Sequence, residues 1–262
     1  MVSFLGIPYV NRPELLSKAL NSVRSMWPWT VLVDNSDTGE LVASQNSWPV
    51  PILRIPGIAP LSLSQTMNFL QSLAVSRQYP AWFFMHSDAE AGPGVAERLV
   101  NRARQALRKK KRWGVIFTHY DTFCSFNTQA LSRVGLWDVN LPQYFADNDY
   151  YYRLALKKYE KITLELKVIH HEGGSCTMKS DARRTFLNGI TFSLYERYYA
   201  AKWGGPPHQE KFKQPFDSNL FKPSAGSWRT RVSGAEKVSA LAEICTSQNQ
   251  SDGGSSIASP RW

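Results

Sequence analysis

The stretch from Ala81 to Glu90, reading A-W-F-F-M-H-S-D-A-E, constrains the chain more than any other. Five apolar residues in a row, entered from Pro80, describe a strand buried on both faces, and such strands belong to parallel sheets covered by helices on each side. The run stops abruptly in polar residues. The acids therefore stand at the strand's carboxyl end, where open α/β sheets bind their ligands. Asp88 and Glu90, two apart, can turn their carboxylates toward one point and hold a hard divalent cation carrying substrate phosphates. The plain alternative is a polar turn in which Asp88 caps the next helix, because Asp-x-Glu occurs by chance in many sequences.

From the start of the chain the same grammar repeats. Val2 to Ile7 reads as a strand, P-Y-V-N-R-P as a loop, and Leu15, Leu16, Ala19, Leu20 and Val23 as the buried stripe of a helix with Pro13 in its first turn. Thr30 to Val33 is a second strand, delivering D-N-S-D-T-G at its end. A short strand, Pro51 to Ile55, and a helix, Leu63 to Arg77, precede the central stretch. After it, Gly114 to Thr118 is another apolar strand, leading through H-Y-D-T-F-C-S-F-N to a helix start near Asn127. Strands alternating with helices predict an α/β fold whose mostly parallel central sheet is flanked by helices. Neither a G-x-G-x-x-G turn nor a Walker A sequence is present, which disfavours a dehydrogenase or a P-loop enzyme.

The 262 residues, 43% hydrophobic, can bury a sizeable core in one domain. Three scattered cysteines, Cys124, Cys176 and Cys245, make neither a disulfide framework nor a zinc spacing and point to a reducing, cytoplasmic setting. No apolar run approaches the length of a membrane span. Much of the net charge of +10 is local: eight Arg and Lys between Gly94 and Trp113 face one acid, Glu97. Val95, Leu99, Val100, Ala103, Ala106 and Leu107 give that helix a core stripe and a cationic outer face, which reads as solvated surface or, in second place, as peripheral contact with an anionic membrane or nucleic acid.

A second acidic cluster, Y-F-A-D-N-D-Y-Y-Y-R-L, starts at Tyr144. Asp147 and Asp149 stand at the N-terminus of a helix, where carboxylates cap free N–H groups, but one cap needs one acid and the other is free to act as a general base. Ile162 to Ile169 alternates like a strand and ends in H-H-E-G-G-S-C, so His170 or His171 can lend an imidazole to a metal held by carboxylates. Phe186, Ile190, Leu194 and Tyr198 form the stripe of a helix from Asp181 to Lys202. The domain is expected to span residues 1–216, followed by a flexible low-complexity tail over 217–262.

Taken in order, G-I-P-Y-V-N-R-P-E-L-L, V-L-V-D-N-S-D, H-S-D-A-E, V-G-L-W-D with A-D-N-D-Y-Y-Y-R-L, and H-H-E-G-G-S resemble the motifs of family-2 glycosyltransferases with the GT-A fold, over residues 1 to about 216. The resemblance implies that Pro8, Tyr9, Asn11 and Arg12 lie against a nucleotide, that Asp34, Asn35 and Ser36 hold its base and ribose, and that Asn68 and Ser87 lie near it. It implies Asp88, Glu90 and His170, with His171 as neighbour, as the site of Mn2+ or Mg2+. Glu90 stands where the family more often has aspartate. Asp147 falls at the family's catalytic base, preceded here by Ala146 instead of the usual acid. Asp149 is the other candidate for the proton, and is better spaced to pair with Arg153.

The activity so implied is metal-dependent, inverting transfer of a sugar from a nucleoside diphosphate donor to an acceptor hydroxyl, with no nucleic-acid partner. The donor would be a uridine diphosphate sugar or a deoxythymidine diphosphate sugar such as rhamnose, and the acceptor a glycan or a lipid-linked glycan. Two other readings remain at this stage, a sugar-1-phosphate nucleotidyltransferase and a non-enzymatic binding module using the cationic helix.

Overall fold

The computed structural model describes residues 3–109, 112–118, 120–174 and 176–217. Lys110 and Lys111 of the basic run, and all but the first residue of the expected tail, lie outside the described residues. The chain runs through β1 (Leu5–Tyr9), α1 (Pro13–Ser22), β2 (Thr30–Asp34), a one-turn α2 (Glu40–Ala43), β3 (Ile52–Leu53), α3 (Leu63–Ser76) and β4 (Ala81–Met85). Next come β5 (Ala89–Ala91), α4 (Val95–Arg108), β6 (Trp113–Thr118), β7 (Tyr120–Asn127), α5 (Thr128–Val134) and α6 (Ala146–Leu156). Then follow β8 (Glu160–Thr163), β9 (Val168–His170), a short α7 (Cys176–Lys179) and a long α8 (Ala182–Trp203).

Seven strands form one sheet in the order β3-β2-β1-β4-β7-β6-β8. Every pairing is parallel except the two made by β7, which runs against β4 and β6. The fold is mixed α/β with a mostly parallel sheet, and strand alternation gives it two cores. Ala81, Phe83 and Met85 of β4 pack on the side covered by α1 and α4, where Leu16, Leu20 and Leu99 are buried. Trp82 and Phe84 face the other side, with Met67 and Leu70 of α3, Leu131 of α5, and Tyr150 and Leu154 of α6. Two glycines let that second layer come close: a Cβ added at Gly6 would sit 2.6 Å from Leu70, and one at Gly114 would sit 2.5 Å from Leu154.

The expected stripes of α1 and α4 are buried, Leu107 only in part, and the capping box Ser62–Gln65 starts α3. Three expectations need correction. The segment after β6, read as a loop leading to α5, is the strand β7; its polar Asp121, Thr122 and Ser125 mask a ladder with neighbours on both sides. The single strand expected over 162–169 is broken into β8 on the large sheet and β9, which pairs with β5 in a sheet of two. The stripe of α8 is largely uncovered: Phe186 is 68%, Ile190 53% and Leu194 55% exposed, and the helix buries only Tyr199, Lys202 and Trp203 near its end. No helix of the described residues is long and apolar enough to cross a membrane.

Candidate active site

After Met85 the chain turns, with the His86 N–H on the Thr122 carbonyl at 2.9 Å and the Ala89 N–H on the His86 carbonyl at 3.2 Å. The turn feeds β5, whose pairing with β9 sets Ala89 opposite His170. His170 is thereby brought to the end of β4, where its Nε2 lies 3.1 Å from Asp88 Oδ1. His86, Asp88 and His170 each offer one donor atom, and the three atoms lie within 4.8 Å of one another. Asp88 is buried, and its second oxygen accepts the Cys176 N–H at 3.2 Å. Burial opposes its charge, but the His170 hydrogen bond, the charges of His86 and His170 and the Cys176 N–H outweigh burial and hold the carboxyl down to about 2. Burial also lowers the proton affinity of His86, against the pull of Asp121 and Asp88.

Ionised carboxylate and neutral imidazole are the forms that ligate metals. Two nitrogens and one oxygen suit a divalent ion that accepts nitrogen, manganese more than magnesium. Donors at right angles, each about 2.1 Å from a cation, stand about 3 Å apart, which matches the separation of His170 Nε2 from Asp88 Oδ1. These three residues fit a cation.

Of the four expected ligands, the structure brings together Asp88 and His170. Glu90 and His171 lie outside the group and pair with each other at 3.0 Å. Asp88 belongs to the turn while Glu90 is already in β5, so the two carboxylates do not share one strand's alternation.

The loops expected against a nucleotide divide as well. Asp34 is fully buried: Oδ2 accepts the N–H groups of Leu41 and Val42, each at 3.1 Å, and Oδ1 accepts the Ser36 N–H and hydroxyl. Asn35 donates to Thr66 Oγ1 at 2.8 Å and accepts the Leu61 N–H, while Ser36 Oγ caps Glu40. Tyr9 is buried with its hydroxyl on Glu40 at 2.7 Å, and Asn68 holds both backbone groups of Trp137. These side chains spend their polar atoms shaping the loops. Asn11 and Arg12 reach across instead, Asn11 to the Thr177 carbonyl at 3.1 Å and Arg12 to Glu172 at 3.0 Å. Pro8 lies in β1 beside Val33, and Ser87 is buried next to Asp88.

The helix α6 starts sharply. Phe145 has a left-handed backbone, φ 65°, uncommon for a bulky residue, and its ring lies against Phe192 and Tyr199. The next residue, Ala146, is buried, and Asp147 comes out half-buried on a cavity it shares with Asp121. Burial first, and then the charge of Asp121, push its carboxyl up to about 6. Asp121 also acts on His86, so its charge is felt by the cation group and by Asp147.

Asp149 has a different setting. It is fully buried, accepts the Nε–H of Arg153 and the Nε1–H of Trp203, each at 2.9 Å, and forms ion pairs with the Arg153 guanidinium and, at 2.6 Å, with Lys202. Lys202 also reaches Asp138 at 2.7 Å.

Sequence reasoning missed two residues of the site. His86 was visible: it lies two before Asp88 in the same strand-end stretch, and only the choice of the later histidines as imidazole donors hid it. Asp121 was hidden because its strand was read as a loop. An antiparallel strand begins where its neighbours end, which puts its first residues at the same edge.

No protein-family model and no curated protein matches the chain. Among solved structures, similar chain paths include S. aureus TarS residues 1–349, at 14% identity over 64% of this chain and 59% of that one, with a TM-score of 0.46. Another is glucosyl-3-phosphoglycerate synthase from Mycobacterium tuberculosis with Mn2+, UDP and glucosyl-3-phosphoglycerate, at 13% identity over 76% of this chain and 77% of that one, TM-score 0.48. A third is a cytidylyltransferase from Leptospira borgpetersenii, at 11% identity over 81% and 99%, TM-score 0.44. The chain spans less than two thirds of the TarS structures it resembles, 59% of the shorter and 36% of the longer.

Proposed function

We propose that the chain is a metal-dependent, inverting glycosyltransferase of the GT-A type, using a uridine or deoxythymidine diphosphate sugar as donor. The observation that carries this reading is the arrangement at one sheet edge: a cation-fitting group of His86, Asp88 and His170, and beyond it a carboxylate, Asp147, held at about 6. Sugar transfer needs both. The acceptor oxygen bonds to the anomeric carbon as the bond to the diphosphate breaks, the diphosphate leaves with the electron pair, and the acceptor's proton goes to a base.

In this chain His86, Asp88 and His170 would hold Mn2+, which when bound neutralises the departing diphosphate. Asp147 takes the proton at a carboxylate oxygen. A single base facing the acceptor suits one displacement, with inversion at the sugar carbon. Arg12 and Asn11 help to close the donor side through their contacts with Glu172 and Thr177. Any peripheral membrane contact would fall on exposed arginines of α4, such as Arg98, Arg104 and Arg108.

Calorimetry with uridine and deoxythymidine diphosphates tests the reading. Binding is expected to require manganese and to be lost in Asp88→Ala. A screen of nucleotide sugars for turnover then identifies the donor by release of nucleoside diphosphate. Release of pyrophosphate from a nucleoside triphosphate and a sugar phosphate would overturn it in favour of nucleotidyl transfer.

A further inference from the structure

Asp147 stands on a cavity of about 550 Å3 between α6 and β8, within the range of about 300–1,000 Å3 usual for small-molecule sites. Its wall is aromatic, with Phe117, Tyr151 and Tyr159 among the lining side chains, and its polar groups include three carboxylates, Asp121, Asp147 and Glu210. The aromatic wall is fixed in advance. The Tyr151 hydroxyl donates to Asp121 at 3.0 Å, and its ring meets Phe117 edge-on at 4.9 Å. Tyr152, also on the cavity, is tied to the Phe212 carbonyl at 2.9 Å. Glu210 is held by the Tyr199 hydroxyl at 2.5 Å through one oxygen, and the other oxygen takes no part in that bond.

Aromatic faces and carboxylates together describe one ligand chemistry. The C–H face of a sugar ring lies on an aromatic wall, and its hydroxyls donate to carboxylate oxygens. The charge disfavours an anion: three carboxylates outnumber the two basic side chains on the cavity among the described residues, Lys161 and His208. The Lys161 ammonium already lies 5.6 Å from the Phe117 ring and 5.9 Å from the Tyr151 ring. We infer that this groove is a saccharide subsite holding an uncharged glycan acceptor, so that the acceptor is a neutral sugar and not a sugar phosphate, a uronic acid or a small phosphorylated acid. The word acceptor rests on the transferase reading; the saccharide subsite does not.

Saturation-transfer NMR on the full chain, with neutral methyl glycosides and disaccharides against the matching uronides and sugar phosphates, tests the inference. Neutral ligands are expected to bind and their anionic counterparts to bind at least about tenfold more weakly. Tyr159→Ala should weaken the neutral ligand by about tenfold, and Thr163→Trp, a substitution at an exposed position on the rim, should block it. Both variants should bind manganese and nucleoside diphosphate like the parent, which shows that they are folded. Anionic sugars binding as tightly as neutral ones, neutral binding that survives both substitutions, or displacement of the glycoside by a free nucleoside would each overturn the inference. Glycoside binding at this groove without any nucleotide binding would overturn the transferase reading and leave the saccharide subsite standing.

Discussion

Asp88, Asp147 and Asp149 are carboxylates with three different surroundings, and under the proposed function those surroundings give them different roles. Asp147, pushed up to about 6, is poised to take a proton near neutral pH. Turnover should therefore rise with pH through about 6 as Asp147 ionises. Asp147→Asn should lose about a hundredfold or more in turnover and the acid limb of the profile, while donor binding by calorimetry stays intact. The sign for stability is opposite: a carboxyl raised in the folded state contributes stability that is complete below its unfolded value and is lost as pH rises through about 6. Asp149 is bound by Arg153, Lys202 and Trp203 in a buried network. Removing its charge leaves two cations without their shared partner, so Asp149→Asn should cost about 3–5 kcal/mol of stability. A lowered melting temperature checks it, with turnover per folded molecule changed far less than in Asp147→Asn.

Among the elements, α6 depends on a glycine in a strand it packs against. Gly114 lies under Leu154, which is only 2% exposed and cannot swing into solvent. Gly114→Ala should destabilise by about 1–3 kcal/mol, read from chemical denaturation, and should disturb α6 and hence Asp147. Much of this level was legible in the sequence. The five apolar residues of β4, the stripes of α1 and α4 and the end-of-strand acids all follow from burial and period alone. What was not legible depends on partners remote in sequence. Asp121 and Thr122 look like loop residues because they fall at the bulge in the β6 pairing, just before β4 and β6 flank β7 from Phe123 onward. The 162–169 run looks continuous until β5 claims its last two residues, Val168 and Ile169. The period of α8 shows which residues share a face, but not whether anything covers that face, and Phe186 is left in solvent. At the site, Asp88 and Asp147 were visible as strand-end and helix-start acids. That Asp34, Asn35 and Ser36 turn inward was not, since a polar residue looks the same in sequence whether it meets a ligand or a backbone N–H.

At the scale of the whole molecule, the cation group joins parts of the chain 82 residues apart. His170 belongs to the same segment as Glu172, which meets Arg12, and Thr177, which meets Asn11; just beyond it, Arg184 meets Asp37 at 2.8 Å. One stretch of chain thus supplies a cation donor and covers the loops after β1 and β2. Chelation should therefore expose it: trypsin is expected to cut after Lys179, Arg183 or Arg184 faster in a chelator than in manganese, with cleavage elsewhere unchanged, as mass spectrometry of the fragments would show. Equal cutting in both conditions would uncouple the cover from the cation. The coupling has an economic meaning for a cell. Under the proposed function, a chain whose cover is fastened through the ion held at His170 would respond to ion supply before donor supply: with manganese scarce its donor affinity would fall first, and added donor would restore the rate only in part.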